Sequence, residues 1–174
     1  FPMDKKVKIV LDADVIIHFA KGGLLNILPT ILPEYEFVVL DKVMEEIHKP
    51  ALTQLQNQIA FLKNIREVKF GLTAEERREF ARLTSKLCLG KGESACMAYC
   101  RYNYDVVGSS NLRDITDYCR ENHITFLTTI ELLYYGIARS IITKEDADNF
   151  IKRVNAQNSK LPNVDFNTFV CTKI

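Results

Sequence analysis

Short, uninterrupted apolar runs alternate along the chain with longer stretches in which apolar residues recur every three or four positions. "VKIVL" (7–11) and "EFVVL" (36–40) are continuous and β-branched, the pattern of strands buried on both faces in a parallel sheet. "EVKF" (67–70), "YDVVGS" (104–109) and "ITFLT" (124–128) read as further strands. Between them, "ADVIIHFAK" predicts a helix ending near Gly22 and Gly23, then a short helix with Leu24, Leu25, Ile27 and Leu28 facing inward. Asp41 is expected to cap "KVMEEIHK", which stops before Pro50 because proline disfavours helical geometry in the residue ahead of it. A polar amphipathic stretch, "ALTQLQNQIAFLKNI", follows. "TAEERREFARLTSKLC" opens with Thr73 and Glu76 at capping-box spacing. "GESACMAYCRYN", "LRDITDYCREN", "IELLYYGIARS" and "KEDADNFIKRVNA" complete the predicted helices. The last stretch, "NVDFNTFVCTKI", alternates weakly and fits an edge strand or a packed tail.

Strands alternating with helices indicate an α/β sandwich with a mainly parallel central sheet. At 174 residues the chain suits one compact domain that needs neither disulfides nor a structural metal. Its expected extent is 3–174, with Met3 a natural start, a core over about 7–155 and a tail over about 156–174. The 23 basic and 22 acidic residues leave a net charge of +1, so any nucleic acid has to be gripped by a local patch. Five cysteines, an odd number and mostly in apolar segments, read as reduced thiols of a cytoplasmic protein. No apolar run has the length of a bilayer span, so no membrane association is expected.

In an open parallel sheet, functional groups collect beyond the carboxyl ends of the strands where strand order reverses. Three strand ends carry polar groups: Asp12 and Asp14; Asp41, Glu45 and Glu46; and Ser109, Ser110, Asn111 and Asp114. Glu46 flanks the buried face of its predicted helix. Glu93 is followed by Cys96, Met97 and Cys100 at plus three, four and seven, which puts a carboxylate on an apolar stripe in a first turn. A helix amino terminus favours negative charge by only about 0.3–1 kcal/mol, too little to offset lost hydration. Convergence of Asp12, Glu46, Glu93 and Asp114 therefore calls for a cation, and hard oxygen donors select Mg2+ or Mn2+. Such ions activate water and stabilise the leaving oxygen of a phosphodiester.

"IVLDADVIIHFAKGGLLNIL", "VVLDKVMEEI", "LGKGESAC" and "VVGSSNLRDI", in this order and spacing, resemble the PIN-domain ribonucleases, particularly their toxin-like (VapC-type) branch. The resemblance runs from about residue 7 to 155. It implies a PIN-like three-layer sandwich and a divalent-metal-dependent endoribonuclease acting on RNA. Asp12, Glu46, Glu93 and Asp114 match the four acids, with Asp14, Ser109 and Asn111 in support. A toxin of this kind implies a small antitoxin protein as partner, and a homodimer is compatible with it. Two departures stand out. Asp14 replaces the usual Ser, Thr or Asn, and Asn111 and Leu112 replace the paired aspartates of another branch.

Blander roles exist for each residue. Asp12 can simply cap a helix, Glu46 can be solvated, Glu93 and Asp114 can stabilise first turns, and Asn111 is expected as a helix cap. His18 reads as a partly exposed or hydrogen-bonded histidine and Cys96 and Cys100 as core thiols. "EERREFARLTSK" reads as a solvated face, with Arg77, Arg78, Arg82 and Lys86 available to RNA phosphates. "VLDADV" also resembles the first motif of haloacid-dehalogenase-like phosphatases, but no late strand supplies their acidic pair. The alternative to a nuclease is a catalytically degenerate PIN module that binds RNA or protein without cleavage.

Overall fold

A computed structural model describes residues 4–174, so the expected start at Met3 lies outside the described residues. Five strands, β1 (Lys8–Leu11), β2 (Glu36–Leu40), β3 (Arg66–Val68), β4 (Val106–Gly108) and β5 (Phe126–Leu127), form one sheet in the order β3-β2-β1-β4-β5. Every pairing is parallel, with Ile9 opposite Phe37 on one side and Val106 on the other. This is the α/β sandwich that the alternation predicts, with a wholly parallel sheet where a mainly parallel one is expected. The two strongest apolar runs are its centre: Ile9, Val10, Leu11, Val38, Val39 and Leu40 are fully buried.

Helices cover the sheet. α6 (Lys91–Asn103) lies against β1, β2 and β4 and is flanked by α3 (Asp41–Met44), α5 (Ala74–Ser85) and α7 (Leu112–Glu121). α1 (Ala13–Lys21), α4 (Ala51–Asn57), α8 (Thr129–Ala138) and α9 (Lys144–Asn155) form a second packed group, with α2 (Leu28–Ile31) against α8. Phe19 of α1 and Phe150 of α9 meet edge to face at 4.9 Å, and a Cβ on Gly22 would overlap the Phe150 ring. Gly22 thus ends α1 where the sequence predicts and lets α9 close over it.

Several elements differ from expectation. The short helix after α1 begins only at Leu28; Leu25 and Leu28 are buried, while Leu24 and Ile27 are partly so. Asp41 is the first residue of α3 and not its cap: Oδ1 accepts from the Lys42 and Phe70 amides, both at 2.9 Å, joining α3 to the chain after β3. α3 itself stops at Met44 and leaves Glu45 and Glu46 in a turn. Two acids at a helix carboxyl end would oppose its dipole, which makes an early stop favourable. α4 continues into a π turn over Gln58–Leu62. Only half of the capping box at α5 forms: Thr73 accepts from the Glu76 amide, but Glu76 turns to the Gly71 amide and the Asn103 side chain. The solvated-face reading of α5 fails at Glu76 and Glu79, both buried; Glu79 is held by Arg82, Arg101 and the Tyr118 hydroxyl.

The terminal segment is a packed tail. Leu161, Phe166 and Cys171 are buried, Lys173 bonds Glu131 at 2.8 Å, and the Ile174 amide donates to the Tyr135 hydroxyl at 2.9 Å. Four of the five free cysteines are buried, and Cys88 is exposed. No helix among the described residues is long and apolar enough to cross a membrane.

Candidate functional site

Strand order reverses between β1 and β4. From β1 the chain moves outward through β2 to β3, while β4 and β5 build the other half. A crevice beyond the carboxyl ends of β1 and β4 is the place where such sheets hold ligands. Asp12 lies directly there, its amide bonded to the Gly108 carbonyl at 2.7 Å.

Asp12 is 3 % exposed and serves as the cap of α1. Oδ1 accepts from the Ala13 amide at 2.8 Å and Oδ2 from the Ser109 hydroxyl at 3.3 Å. The capping expectation is therefore met, by a side chain that also lies at the strand end. Asp14, in the same turn, accepts from the Val15 amide at 2.7 Å and from the Ser110 amide at 2.9 Å, which ties α1 to the loop after β4. Glu46 reaches the cluster from its turn, through a 2.9 Å bond accepted from the Gly92 amide at the amino end of α6. It is exposed and does not flank a helical core face as the periodicity predicts.

Glu93, one residue further along α6, and Asp114, in the first turn of α7, share a partner. The Asn111 side-chain amide donates to Glu93 Oε1 and to Asp114 Oδ2, the latter at 2.9 Å. Asn111 stands at the cap position of α7 but makes no side-chain capping bond, so the expected cap is instead a bridge between two carboxylates. Its own amide bonds the buried Ser109 hydroxyl at 3.3 Å.

The electrostatics follow from this crowding. Burial, then the Asp14 charge, pushes Asp12 well above the ordinary aspartate range; the Ala13 amide pulls back, and Glu93 and Glu46 add to the rise. Burial also raises Asp14, against the lowering bonds from Ser110 and Val15. Glu93 is raised by burial, with Asp114 and Asp14 adding to it and Asn111 opposing. Among the described residues, none of the five carboxylates takes part in an ion pair.

Gly92 is a component that pattern reading missed. A Cβ there would lie 2.4 Å from Glu46 Oε2 and 3.2 Å from Asp12 Oδ1, so the bare Cα is what lets both oxygens share this corner. Its signal in the sequence is faint: a glycine in the first turn of a helix, where it weakens the helix and caps nothing.

The donors are all hard oxygens, the kind that suits Mg2+ or Mn2+. Among the described residues, no three acidic, histidine or cysteine side chains stand ready to hold one ion between them. Mg2+ characteristically retains several waters and takes only one or two direct carboxylates, a demand that oxygen donors of this kind could meet. The remaining candidates go elsewhere. His18 is buried and bonded to Thr129, Cys96 and Cys100 are core, Arg82 is paired with Glu79, and Arg77 bonds the Gly71 carbonyl. Arg78, on α5, and Lys86, at its carboxyl cap, are exposed. No family model matches this chain, and no curated protein matches it.

Proposed function

We propose that this chain is a divalent-metal-dependent endoribonuclease that hydrolyses RNA phosphodiesters, on the pattern of the PIN-domain ribonucleases it resembles. One observation carries the reading: Asp12, Asp14, Glu46, Glu93 and Asp114 gather at the switch point of a parallel sheet without an ion-pair partner among the described residues. Asp12, Glu46, Glu93 and Asp114 would hold Mg2+ or Mn2+, directly or through water. When bound, the ion activates a water and offsets charge that builds on the phosphate. The Ala13 amide and the Ser109 hydroxyl keep the Asp12 carboxylate in one orientation, and Asn111 keeps Glu93 and Asp114 together.

The test is cleavage of an RNA oligonucleotide with Mn2+, with Mg2+ and with a chelator. Cleavage is expected only with an ion, and Asp12→Asn and Asp114→Asn are expected to be roughly 100-fold slower, the cost of removing one charged group from a reacting centre. An Asp12→Asn protein as fast as the parent sinks the proposal. The second reading, a degenerate module that binds RNA without cutting it, draws on Asn111, which already satisfies Glu93 and Asp114 without an ion. RNA binding with neither cleavage nor Mn2+ uptake would select it.

A further inference from the structure

Three polar side chains form a hydrogen-bonded chain that leads away from the acidic cluster into the interior. Thr129, the first residue of α8 and fully buried, has Oγ1 2.8 Å from His18 Nδ1 and 2.9 Å from Ser110 Oγ. Its amide donates to Ser110 Oγ at 2.9 Å, and the Ser110 amide donates to Asp14 Oδ2 at 2.9 Å. His18 and Thr129 sit on different elements, α1 and α8, and Ser110 belongs to the loop between β4 and α7.

Thr129 is not spent on its own helix. Thr128 caps α8 through a complete capping box with Glu131, which leaves the Thr129 hydroxyl for Ser110 and His18 alone. The donor count is consistent. Ser110 Oγ accepts the Thr129 N–H and gives its proton to Thr129 Oγ1, so the threonine's proton is left for His18 Nδ1. Burial, with Lys21 adding, takes His18 down to about 4, which keeps the ring neutral and Nδ1 able to accept. A buried polar chain of this kind is favourable only when each member is satisfied, so it holds one arrangement.

We propose that Thr129 and His18 are positioning residues of the candidate site: through Ser110 they fix Asp14 and the loop that carries Ser109 and Asn111. The proposal rests on the metal-site reading above. It gives the fifth carboxylate, Asp14, a set orientation beside Asp12, and it links the site to a helix that contributes no acid to it.

Four variants of the full chain test this: Thr129→Val, Thr129→Ser, His18→Leu and His18→Asn, the last keeping a polar atom near the Nδ1 position. Two measurements are made, Mn2+ binding by calorimetry and hydrogen exchange of the Ser110 amide. Thr129→Val and His18→Leu are expected to weaken Mn2+ binding on the order of tenfold and to speed Ser110 exchange, while Thr129→Ser and His18→Asn stay within about twofold of the parent. A purely structural role would lower the stability of the apolar variants but leave the Mn2+ affinity of the folded protein at the parent's value. Parent-like Mn2+ affinity and Ser110 protection in a folded Thr129→Val protein would overturn the proposal. If that variant does not fold, His18→Leu against His18→Asn decides in the same way. A parent chain that takes up no Mn2+ removes the metal-site reading, whereas Ser110 exchange still separates the variants if the positioning holds.

Discussion

The two ends of the β1–β4 pair treat buried charge in opposite ways. At the amino end, Lys8 and Asp105 face each other with almost no exposure: the Lys8 amide donates to Asp105 Oδ1 at 2.9 Å and its Nζ lies 3.4 Å from Oδ2. Burial works against the Lys8 ammonium, yet the Asp105 carboxylate and Tyr99 raise its pKa above the usual value. At the carboxyl end, five carboxylates lie near one another and, among the described residues, none takes part in an ion pair. One acid with a matched partner holds two strands in register. Several acids without one repel each other, which is the difference between a matched charge and an unmatched one.

The comparison breaks most visibly at the matched end. Lys8→Met leaves Asp105 buried without its partner and is expected to destabilise the fold by about 3–5 kcal/mol, read as a lowered denaturant midpoint. A variant as stable as the parent would mean that the pair holds nothing.

The acidic end should respond with the opposite sign. Asp12→Asn keeps the shape and removes one repelling charge, so without metal it is expected to raise stability by about 1 kcal/mol, or roughly 2–4 °C in Tm for a domain of this size. The pH dependence follows from the raised pKa of Asp12, Asp14 and Glu93. Their folded state holds protons more tightly than the unfolded chain, so their contribution is full below about pH 4 and is lost as pH rises through the folded values. Thermal melts of parent and Asp12→Asn should therefore diverge as pH rises toward neutrality. Constant separation across pH would remove the repulsion argument.

The smallest effect belongs to Asn111→Asp, which exchanges a bridging amide for another negative charge. A loss of about 0.5 kcal/mol without metal is expected, with a larger stabilisation by added Mn2+ than the parent shows. A variant with parent-like melting in both conditions would show that the bridge is incidental.

Much of this arrangement is legible along the chain. Uninterrupted β-branched runs mark β1 and β2 because both faces of those strands are buried, and Glu93 stands out because a carboxylate on an apolar stripe is physically anomalous. Glu46 was legible as a residue but not in its placement, since "KVMEEIHK" has helical periodicity and nothing local reports that the Gly92 amide draws the side chain across. Asn111 misleads because its position is the one a cap would occupy; only the approach of Glu93, 18 residues earlier, redirects its amide. The pairing of His18 with Thr129 spans 111 residues and leaves no periodic trace. Local pattern reports which groups are unusual, while tertiary contact decides which partner each one takes.

The sheet's two borders carry a consequence for association. β5 has only two residues, and its outward Phe126 carbonyl is taken by Lys173 Nζ at 3.0 Å, from a tail pinned to α8. β3 has three, and its exposed Arg66 pairs with Glu36 of the neighbouring strand. Short, charged or covered borders resist the addition of a further strand. Growth of the sheet by a further strand, from a foreign or an identical chain, is thereby disfavoured at both rims.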